Sequence, residues 1–337
     1  MANSVRWGVL GGTSWIARDA IIPGIEKSRN GKLVATASRD PADARRRFGE
    51  QQGVRITSYE DLLADKSVDA IYIPLPNSMH AEWAIKAAAA GKPVLCEKPL
   101  GLNAAEAERI AAAFERAGVP LMESFMYQFH PQHRRVRELI DSGVIGDVLE
   151  VRSHLSVDIM NPPDPKNVRM IAELGGGALL DMGCYTVSSA RMIIGSEPLS
   201  VRGWQKIDKR FGVDVANGGI LEFPGGRMAV MSCSFETTGL GFYTVIGRKG
   251  IIDVPRGLIL GLGTWVGEAL IVVVDKNGKR EEELLPRYDH YQLVAEAFAD
   301  AVLNGTPVPL SPRDSIKNAR VLDAFARSVA EGRDVKL

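Results

Sequence analysis

Neither sign of charge is in excess in this chain of 337 residues, because 41 Lys and Arg residues balance 41 Asp and Glu residues. Balanced charge gives no general attraction toward nucleic acid or anionic membrane, so neither is expected as a partner. Cysteine is scarce: Cys96, Cys184 and Cys233 lie far apart, in apolar surroundings and without the spacing of a metal site. We therefore expect reduced core cysteines in a cytoplasmic protein that needs no metal ion.

Long apolar runs are missing as well. The most apolar tract, residues 251–274, is broken by Asp253, Pro255, Arg256 and Glu268, which excludes a membrane-spanning helix there. The first residues, MANSVRWGVLGG, lack the basic region and the apolar core of a signal peptide. Low-complexity linkers and convincing internal repeats are absent, and the length of the chain favours two domains.

Strand-like and helix-like patterns alternate through residues 1–124. The strand-like runs are VRWGVL, KLVATAS, VRIT, DAIYIPLP, PVLCEK and VPLMES, and helical patterns of roughly 10–15 residues separate most of them. Ser58 and Asn103 are typical of helix starts, and Gly91 and Gly118 are typical of helix ends. This alternation predicts an α/β domain with a doubly wound parallel sheet, which binds ligands at the carboxyl ends of its strands.

The pattern changes in residues 125–337, where strand-like runs follow one another with few helices between them. Gly225-Gly226 and Asn277-Gly278 are typical of hairpin turns. We therefore predict an α+β domain with an open, mostly antiparallel sheet. Two helical patterns within residues 288–332 follow, and the sequence leaves open whether they pack back on the first domain.

The first turn, GVLGGTSWIA, is a candidate dinucleotide-binding turn. It departs from the usual glycine pattern, because Ser14 and Ala17 stand where glycine is often found. Its place between the first strand and the first helix still favours a pyrophosphate site, made by Gly11, Gly12, Thr13, Ser14, Trp15 and Ile16. The alternative is a tight turn in an α/β domain that binds no nucleotide.

The end of the second strand, ASRDP, bears on the choice of dinucleotide. Asp40 could bind the adenosine ribose and favour NAD, but an aspartate before Pro41 is also a sufficient helix cap. Ser38 and Arg39 then remain at the strand tip, and a hydroxyl with a guanidinium suits the additional phosphate of NADP. We predict NADP as the cofactor, with NAD possible and a solvated Arg39 as the alternative.

Three further stretches, PLPNSMHAEWA, LCEKPL and ELGGGALLDMGCYTV, resemble in this order the glucose–fructose oxidoreductase and inositol dehydrogenase family. A fourth, ESFMYQFHPQ, is most similar to the branch of NADP-dependent D-xylose-type aldose dehydrogenases, dihydrodiol dehydrogenases and sugar ketoreductases. The resemblance covers essentially the whole chain. It implies a Rossmann domain followed by an open-faced sheet domain that often mediates dimerisation, and hence a homodimer or homotetramer.

The resemblance also implies roles for individual residues. By this resemblance Glu97 and Lys98 belong to the signature at the nicotinamide end, where Lys98 would contact cofactor or substrate, and Asp181 and Tyr185 would contact the substrate. We also expect Leu75, Pro76 and Asn77 at the cofactor and Tyr127 at the substrate, and Arg169, in the loop before the triple glycine, could help to choose the substrate. His80 would order the loop under the nicotinamide or, alternatively, cap the helix that follows. Many relatives have histidine in place of Tyr185, so the tyrosine favours the sugar dehydrogenase and ketoreductase branch. Gln128 departs from the arginine or asparagine of relatives and leaves the finer substrate open.

The chemistry of hydride transfer gives Lys98, Asp181 and Tyr185 catalytic roles. Oxidation of an alcohol needs a proton acceptor at its oxygen, and Tyr185 would serve with its phenol made more acidic by the Lys98 ammonium. Asp181, four residues earlier on a helix, would hold a substrate hydroxyl. The glycines of GGG (residues 175–177) would leave room for cofactor and sugar. Alternatively, Asp181 and Tyr185 form a plain surface pair, and Lys98 forms an ion pair at a strand end.

These observations predict an NADP-dependent oxidoreductase that acts on a hydroxyl or keto carbon of a pyranose-type sugar, as an aldose 1-dehydrogenase or a ketosugar reductase. The alternatives are a trans-dihydrodiol dehydrogenase and a non-catalytic NADP-binding regulatory protein.

Overall fold

The chain is described by a computed structural model that covers residues 4–48, 54–262 and 265–337. It consists of two compact units. The first comprises Met1–Phe129, Gly261–Val266 and Asp289–Ile316, and the second comprises His130–Leu260, Gly267–Tyr288 and Lys317–Leu337. Each unit is built around a large sheet.

Six parallel strands form the sheet of the first unit. In chain order the elements are β1 (Val5–Leu10), α1 (Ile22–Lys27), β2 (Gly31–Ala37), α2 (Pro41–Phe48), β3 (Arg55–Thr57), α3 (Tyr59–Ala64), β4 (Ala70–Ile73), α4 (His80–Ala89), β5 (Val94–Cys96), α5 (Ala104–Ala117) and β6 (Leu121–Glu123). The strand order is β3-β2-β1-β4-β5-β6, with parallel neighbours throughout. This is the order of a dinucleotide-binding Rossmann sheet, and it confirms the predicted doubly wound α/β architecture.

Helix caps explain why the helices of this unit begin and end where they do. Ser58 Oγ accepts a hydrogen bond from the Asp61 amide at 3.1 Å, and Asn103 Oδ1 accepts one from the Glu106 amide at 2.9 Å. Gly118 ends α5 in the left-handed conformation with φ of 66°. Each of the two side-chain caps stabilises its helix by about 1 kcal/mol, and all three helix ends were predicted from the sequence.

The rest of the chain supplies a second, larger sheet and the last two long helices. Its elements are α6 (Pro131–Asp141), β7 (Val148–Ser156), α7 (Cys184–Ile194), β8 (Ser200–Ile207), β9 (Asp214–Phe223), β10 (Arg227–Ser234), β11 (Leu240–Gly247), β12 (Gly250–Val254), β13 (Gly261–Leu262), β14 (Trp265–Val266), β15 (Ala269–Asp275), β16 (Arg280–Leu285), α8 (His290–Asn304), α9 (Pro312–Glu331) and β17 (Val335–Lys336). The nine-stranded sheet has the order β16-β15-β12-β11-β7-β10-β9-β8-β17. Its neighbouring strands are antiparallel except β7 and β10, which are parallel. The predicted α+β architecture with a mostly antiparallel sheet is confirmed.

One face of this sheet is covered by helices. α7 packs against β7 and β10. Phe325 of α9 lies so close to β9 that a Cβ atom on Gly219 would come within 2.5 Å of its ring. Side chains alternate between the two faces of a strand, so the neighbouring positions Trp204 and Ile220 point to the opposite face. They are 60% and 49% exposed, which identifies that face as the open one.

α8 belongs to the first unit, although it follows the second sheet in the chain. The Phe298 ring lies 5.5 Å from that of Trp7 in β1, with both side chains fully buried. Gly24 of α1 approaches α8 closely, because a Cβ atom there would lie 2.8 Å from the Gln292 amide nitrogen. A chain segment distant in sequence therefore completes the core of the Rossmann unit.

The remaining expectations about turns, cysteines and apolar runs are met. Gly225, Gly226 and Gly278 have φ of 78°, 71° and 80°, in the turns that join β9 to β10 and β15 to β16. The three cysteines are buried free thiols. Among the described residues, the helices are all too short or too polar to cross a membrane.

Candidate functional site

The turn after β1 contains the two glycines that were predicted to bind the cofactor. Gly11 has φ of 113°, and a Cβ atom on it would lie 2.8 Å from the side chain of Leu75. A Cβ atom on Gly12 would overlap Thr36 Oγ1 at 1.6 Å. The amides of Gly11 and Gly12 both donate to the Ala37 carbonyl, at 3.0 and 3.1 Å. These glycines therefore allow the turn to lie directly against β2, and their amides are used for that purpose.

Helical backbone begins immediately after this turn, at Trp15, and passes through a π-helical turn at Ala17–Ile21 into α1. Ser14 Oγ accepts a hydrogen bond from the Ala17 amide at 3.2 Å and so caps the helix. The first amides of a helix have no intrahelical partner, and they attract anions. Thr13, Ser14, Trp15 and Ile16 thus lie where the sequence predicted a pyrophosphate, and Trp15 is 47% exposed.

The tip of β2 presents Arg39 to solvent. Ser38 is buried, and its Oγ accepts a hydrogen bond from the Asp40 amide at 3.2 Å. Asp40 Oδ1 accepts one from the Ala42 amide at 2.9 Å, so this carboxylate caps α2. The helix-cap alternative for Asp40 is confirmed, and the exposed cation at the strand tip is Arg39.

Lys98 follows β5 and stands beside a buried carboxyl group. Glu97 Oε1 accepts a hydrogen bond from the Tyr72 hydroxyl at 2.5 Å, and its Oε2 accepts one from the Lys98 amide at 3.3 Å. Burial raises the pKa of Glu97, while the Lys98 charge and the Tyr72 hydroxyl act in the opposite direction. The strand end thus pairs a buried acid with a partly exposed lysine at the ligand edge of the Rossmann sheet.

His80 connects the two loops that contain the other predicted cofactor residues. Its Nε2 lies 2.9 Å from the Leu75 carbonyl oxygen, just before Pro76 and Asn77, and its Nδ1 lies 2.8 Å from the Pro99 carbonyl oxygen, just after Lys98. Burial lowers the pKa of His80, while the hydrogen bonds to the two backbone carbonyls raise it. His80 therefore holds the loops after β4 and β5 together, and its side chain does not cap α4.

In the second unit, Arg169 and Asp181 form an ion pair. Arg169 Nε donates to Asp181 Oδ2 at 2.7 Å, and the two side chains retain 33% and 15% of their exposure. The Asn167 side chain accepts a hydrogen bond from the Arg169 amide at 3.1 Å, which fixes the short turn that presents the guanidinium. The structure thus joins two of the predicted substrate residues directly.

Asp181 and Tyr185 lie on one continuous helical segment, but not on a regular α-helix. Leu179–Gly183 is a π-helical turn that runs directly into α7, where Tyr185 is buried. Because a π-helical turn is wider than an α-helical turn, the regular four-residue spacing on which the prediction relied does not apply here. Such insertions are frequent at functional sites, and sequence periodicity gave no sign of this one.

The interpretation of the triple glycine as room for cofactor and sugar is wrong for Gly176 and Gly177. A Cβ atom on Gly176 would lie 2.6 Å from the Arg169 carbonyl oxygen, and one on Gly177 would lie 2.2 Å from Asp214 Oδ1. The space beside these glycines is occupied by the protein itself. Their small size serves close packing around the start of the helix.

Tyr127 was predicted to contact the substrate, whereas Tyr72 and Asp214 were not predicted to have a role. Tyr127 follows β6 and is fully buried, with its ring 6.1 Å from that of Phe125. Tyr72 was missed although a tyrosine in an otherwise apolar buried strand is a signal for a polar partner. Asp214 was missed because its partner, the Leu179 amide, lies 35 residues away in sequence, beyond the reach of any local pattern.

Comparison with known proteins agrees with this geometry. The family model described as "Oxidoreductase family, NAD-binding Rossmann fold" matches residues 5–125, and the model of the GFO/IDH/MocA C-terminal domain matches residues 133–253. D-xylose 1-dehydrogenase (NADP(+)) 2 of Haloferax volcanii is 36% identical over 99% of this chain and 100% of the relative. A dTDP-3,4-didehydro-2,6-dideoxy-alpha-D-glucose 3-reductase of Actinomadura kijaniata is 34% identical, over 96% of this chain and 95% of the reductase.

Solved structures agree as well. The aldose-aldose oxidoreductase of Caulobacter crescentus, in complex with glycerol, superposes with a TM-score of 0.89 at 29% identity, over 99% of this chain and 100% of that one. Both halves of the chain are thus covered by one family, and the relatives fall in the branch that the motifs resemble. The chain belongs to the GFO/IDH/MocA family of oxidoreductases with an NAD-binding Rossmann fold.

Proposed function

We propose that the protein is an NADP-dependent oxidoreductase for a hydroxyl or keto carbon of a pyranose-type sugar. The observation that supports this proposal most directly is a set of three polar side chains in the second unit: a carboxylate, a guanidinium and a phenol. Asp181 is ion-paired with a partly exposed Arg169 and lies on the same helical segment as a buried phenol, Tyr185. A carboxylate and a guanidinium form hydrogen bonds to vicinal sugar hydroxyls, and a phenol can exchange a proton with an alcohol.

The residues of the Rossmann unit fit NADP. The helix that starts at Trp15 suits a pyrophosphate, the exposed Arg39 suits the 2′-phosphate, and the partly exposed Lys98 lies at the strand edge where a nicotinamide binds. Glu97 accepts hydrogen bonds from the Tyr72 hydroxyl and the Lys98 amide, and these bonds hold this edge in place. A bound nicotinamide would supply the hydride acceptor for oxidation of the sugar carbon and the hydride donor for reduction.

Each protein residue then has a task at the reacting hydroxyl group. Tyr185 accepts the hydroxyl proton in oxidation and returns it in reduction. The Lys98 ammonium favours negative charge on the reacting oxygen. Asp181 and Arg169 orient the neighbouring hydroxyls. Lys98 and Tyr185 belong to different units, and their joint action on one oxygen is inferred from the family resemblance and from the chemistry of the reaction.

The reaction is tested by following absorbance of the reduced nicotinamide in both directions. NADP is offered with aldoses, inositols and cyclic diols, and NADPH is offered with ketosugars. Turnover with an aldose or a ketosugar supports the proposal, whereas turnover confined to cyclic diols makes the protein a dihydrodiol dehydrogenase. Binding of NADP without turnover of any compound favours the regulatory protein.

Arg39 is expected to select NADP over NAD. Replacing it in Arg39→Ala removes a charge-assisted contact worth about 1.5–3 kcal/mol, so kcat/KM for NADP falls roughly 10- to 100-fold. The value for NAD stays within about twofold, because that cofactor has no 2′-phosphate. Steady-state kinetics with each cofactor at saturating sugar measures both.

Arg45→Ala is the matched control, since Arg45 is an exposed arginine of the adjacent α2. This variant is expected to keep the wild-type kcat/KM for both NADP and NAD. Equal losses for NAD and NADP in Arg39→Ala would contradict the assignment of Arg39 to the phosphate.

We also propose that the open face of the nine-stranded sheet pairs with a second copy in a homodimer or homotetramer. Trp204 and Ile220 are large, exposed apolar side chains on that face, of the kind that a subunit interface buries. Sedimentation velocity is expected to give a molecular mass of two or four times 36.6 kDa. Ile220→Glu weakens association by roughly 30-fold or more, as for a central interface residue, while Val144→Glu in an exposed loop does not. A monomeric wild type would refute this pairing.

A further inference from the structure

A carboxylate outside the predicted site lies against the start of the helical segment that contains Asp181 and Tyr185. Asp214, the first residue of β9, accepts hydrogen bonds at Oδ2 from the Leu179 amide and from Asn217 Nδ2, both at 2.6 Å. Leu179 is the first residue of the π-helical turn, two positions before Asp181. One carboxylate thus connects a strand of the large sheet to the start of the helix.

This contact is built into the surrounding backbone. Gly177 has φ of 111°, and its missing side chain leaves the space that Asp214 Oδ1 occupies, 2.2 Å from where a Cβ atom would be. The Asp181 amide in turn donates to the Gly177 carbonyl at 3.2 Å. Any other residue at position 177 would both strain the backbone and displace the carboxylate.

Burial and hydrogen bonding act in opposite directions on the pKa of the Asp214 carboxyl group, and burial has the larger effect. Burial raises the pKa of Asp214, whereas hydrogen bonds from Asn217 and from the Leu179 and Ala178 amides lower it. The amides at a helix start also stabilise a negative charge. Asn217 Nδ2 lies 3.5 Å from Cys233 Sγ, which itself donates to the Ala178 carbonyl at 3.3 Å. The contacts therefore form a closed network around the first helical turn.

We propose that Asp214 is a positioning residue for catalysis: it fixes the first turn of the helix and thereby the placement of Asp181 and Tyr185. The inference rests on the proposed function, because it assumes that these two residues act on substrate. Asp214 itself touches neither substrate nor cofactor in this proposal. Displacing reacting groups by about 1 Å can cost roughly 100-fold in rate, so the fixed turn has a measurable consequence.

The test uses Asp214→Asn in the full-length protein, with two readouts. For the sugar substrate, kcat falls about 10- to 100-fold, while KM for NADP stays within about twofold. Independently of any turnover, hydrogen exchange of the amides in residues 178–181 becomes at least about tenfold faster, because the hydrogen bonds that hold the turn are weakened. The exchanged pair Asp214→Asn/Asn217→Asp, which keeps one carboxylate and one amide in the network, recovers at least part of both values.

Asp208→Asn is the matched control, because Asp208 lies in the connection between β8 and β9 and pairs with Arg210 at the surface. It leaves both readouts at wild-type values. If Asp214→Asn does not fold, Asn217→Ser removes only one donor to the carboxylate and gives intermediate changes in both readouts. Wild-type kcat and wild-type exchange in the variant that folds would overturn the proposal.

Failure of this proposal is distinguishable from failure of the proposed function. If the wild type turns over no sugar, the proposed function fails, and exchange at residues 178–181 still decides whether Asp214 holds the turn. If the wild type is active and the amides of residues 178–181 exchange faster in Asp214→Asn while kcat is unchanged, Asp214 holds the turn but does not position the reacting groups. That result overturns the proposal.

Discussion

Tyr185→Phe lowers kcat for sugar oxidation by roughly 10²- to 10⁴-fold and leaves the affinity for NADP unchanged. The size of the loss follows from the removal of the proton acceptor, whose contribution in general acid–base catalysis has this range. Phenylalanine preserves the buried ring in α7, so the fold is retained. Steady-state kinetics gives kcat, and fluorescence titration with NADPH gives the affinity.

Tyr243→Phe controls for loss of a buried hydroxyl in the same unit. Tyr243 is fully buried, and its hydroxyl lies 2.8 Å from His133 Nδ1. This variant is expected to be slightly less stable and fully active. A Tyr185→Phe enzyme with wild-type kcat would show that another group exchanges the proton.

Lys98→Met is expected to lower kcat at least about 10²-fold, because the variant lacks the positive charge that favours the developing alkoxide. Methionine approximates the length of the lysine stem, so the buried Glu97 and the strand end are disturbed little. Lys86→Met, which replaces an exposed lysine that lies 4.1 Å from the Trp83 ring centroid, is the control and keeps wild-type activity.

The double variant Lys98→Met/Tyr185→Phe tests whether the two residues act together. Groups that act on one oxygen give strongly non-additive losses, so the double variant is expected to be little worse than Tyr185→Phe alone. Full additivity of the two losses would indicate independent roles. Normal turnover in Lys98→Met would remove the lysine from the mechanism.

Local physics explains how much of the fold could be predicted. The bounds of β1, the caps at Ser58 and Asn103 and the glycine end of α5 depend on a few adjacent residues, and all were read correctly. The parallel, doubly wound sheet of the first unit followed from the alternation of strands and helices. These features need no knowledge of distant contacts.

Long-range contacts explain what could not be predicted. The parallel pairing of β7 with β10 and the hydrogen bond from the Leu179 amide to Asp214 each join segments far apart in sequence. The meaning of Gly177 was misjudged for the same reason, because glycine shows that something lies close by but not what lies there. The π-helical turn at Leu179–Gly183 is local, but sequence periodicity gives no sign of it. The family motifs singled out Lys98, Asp181 and Tyr185, and the chemistry of hydride transfer gave these residues their roles.

The most direct test of the central claim is transfer of deuterium from a sugar to the cofactor. An aldose deuterated at the carbon to be oxidised is incubated with the enzyme and NADP, and the reduced cofactor is analysed by mass spectrometry. Direct hydride transfer predicts NADPH that is heavier by one deuterium, with formation suppressed in Lys98→Met. Oxidation of the sugar that leaves the cofactor without deuterium would contradict direct hydride transfer.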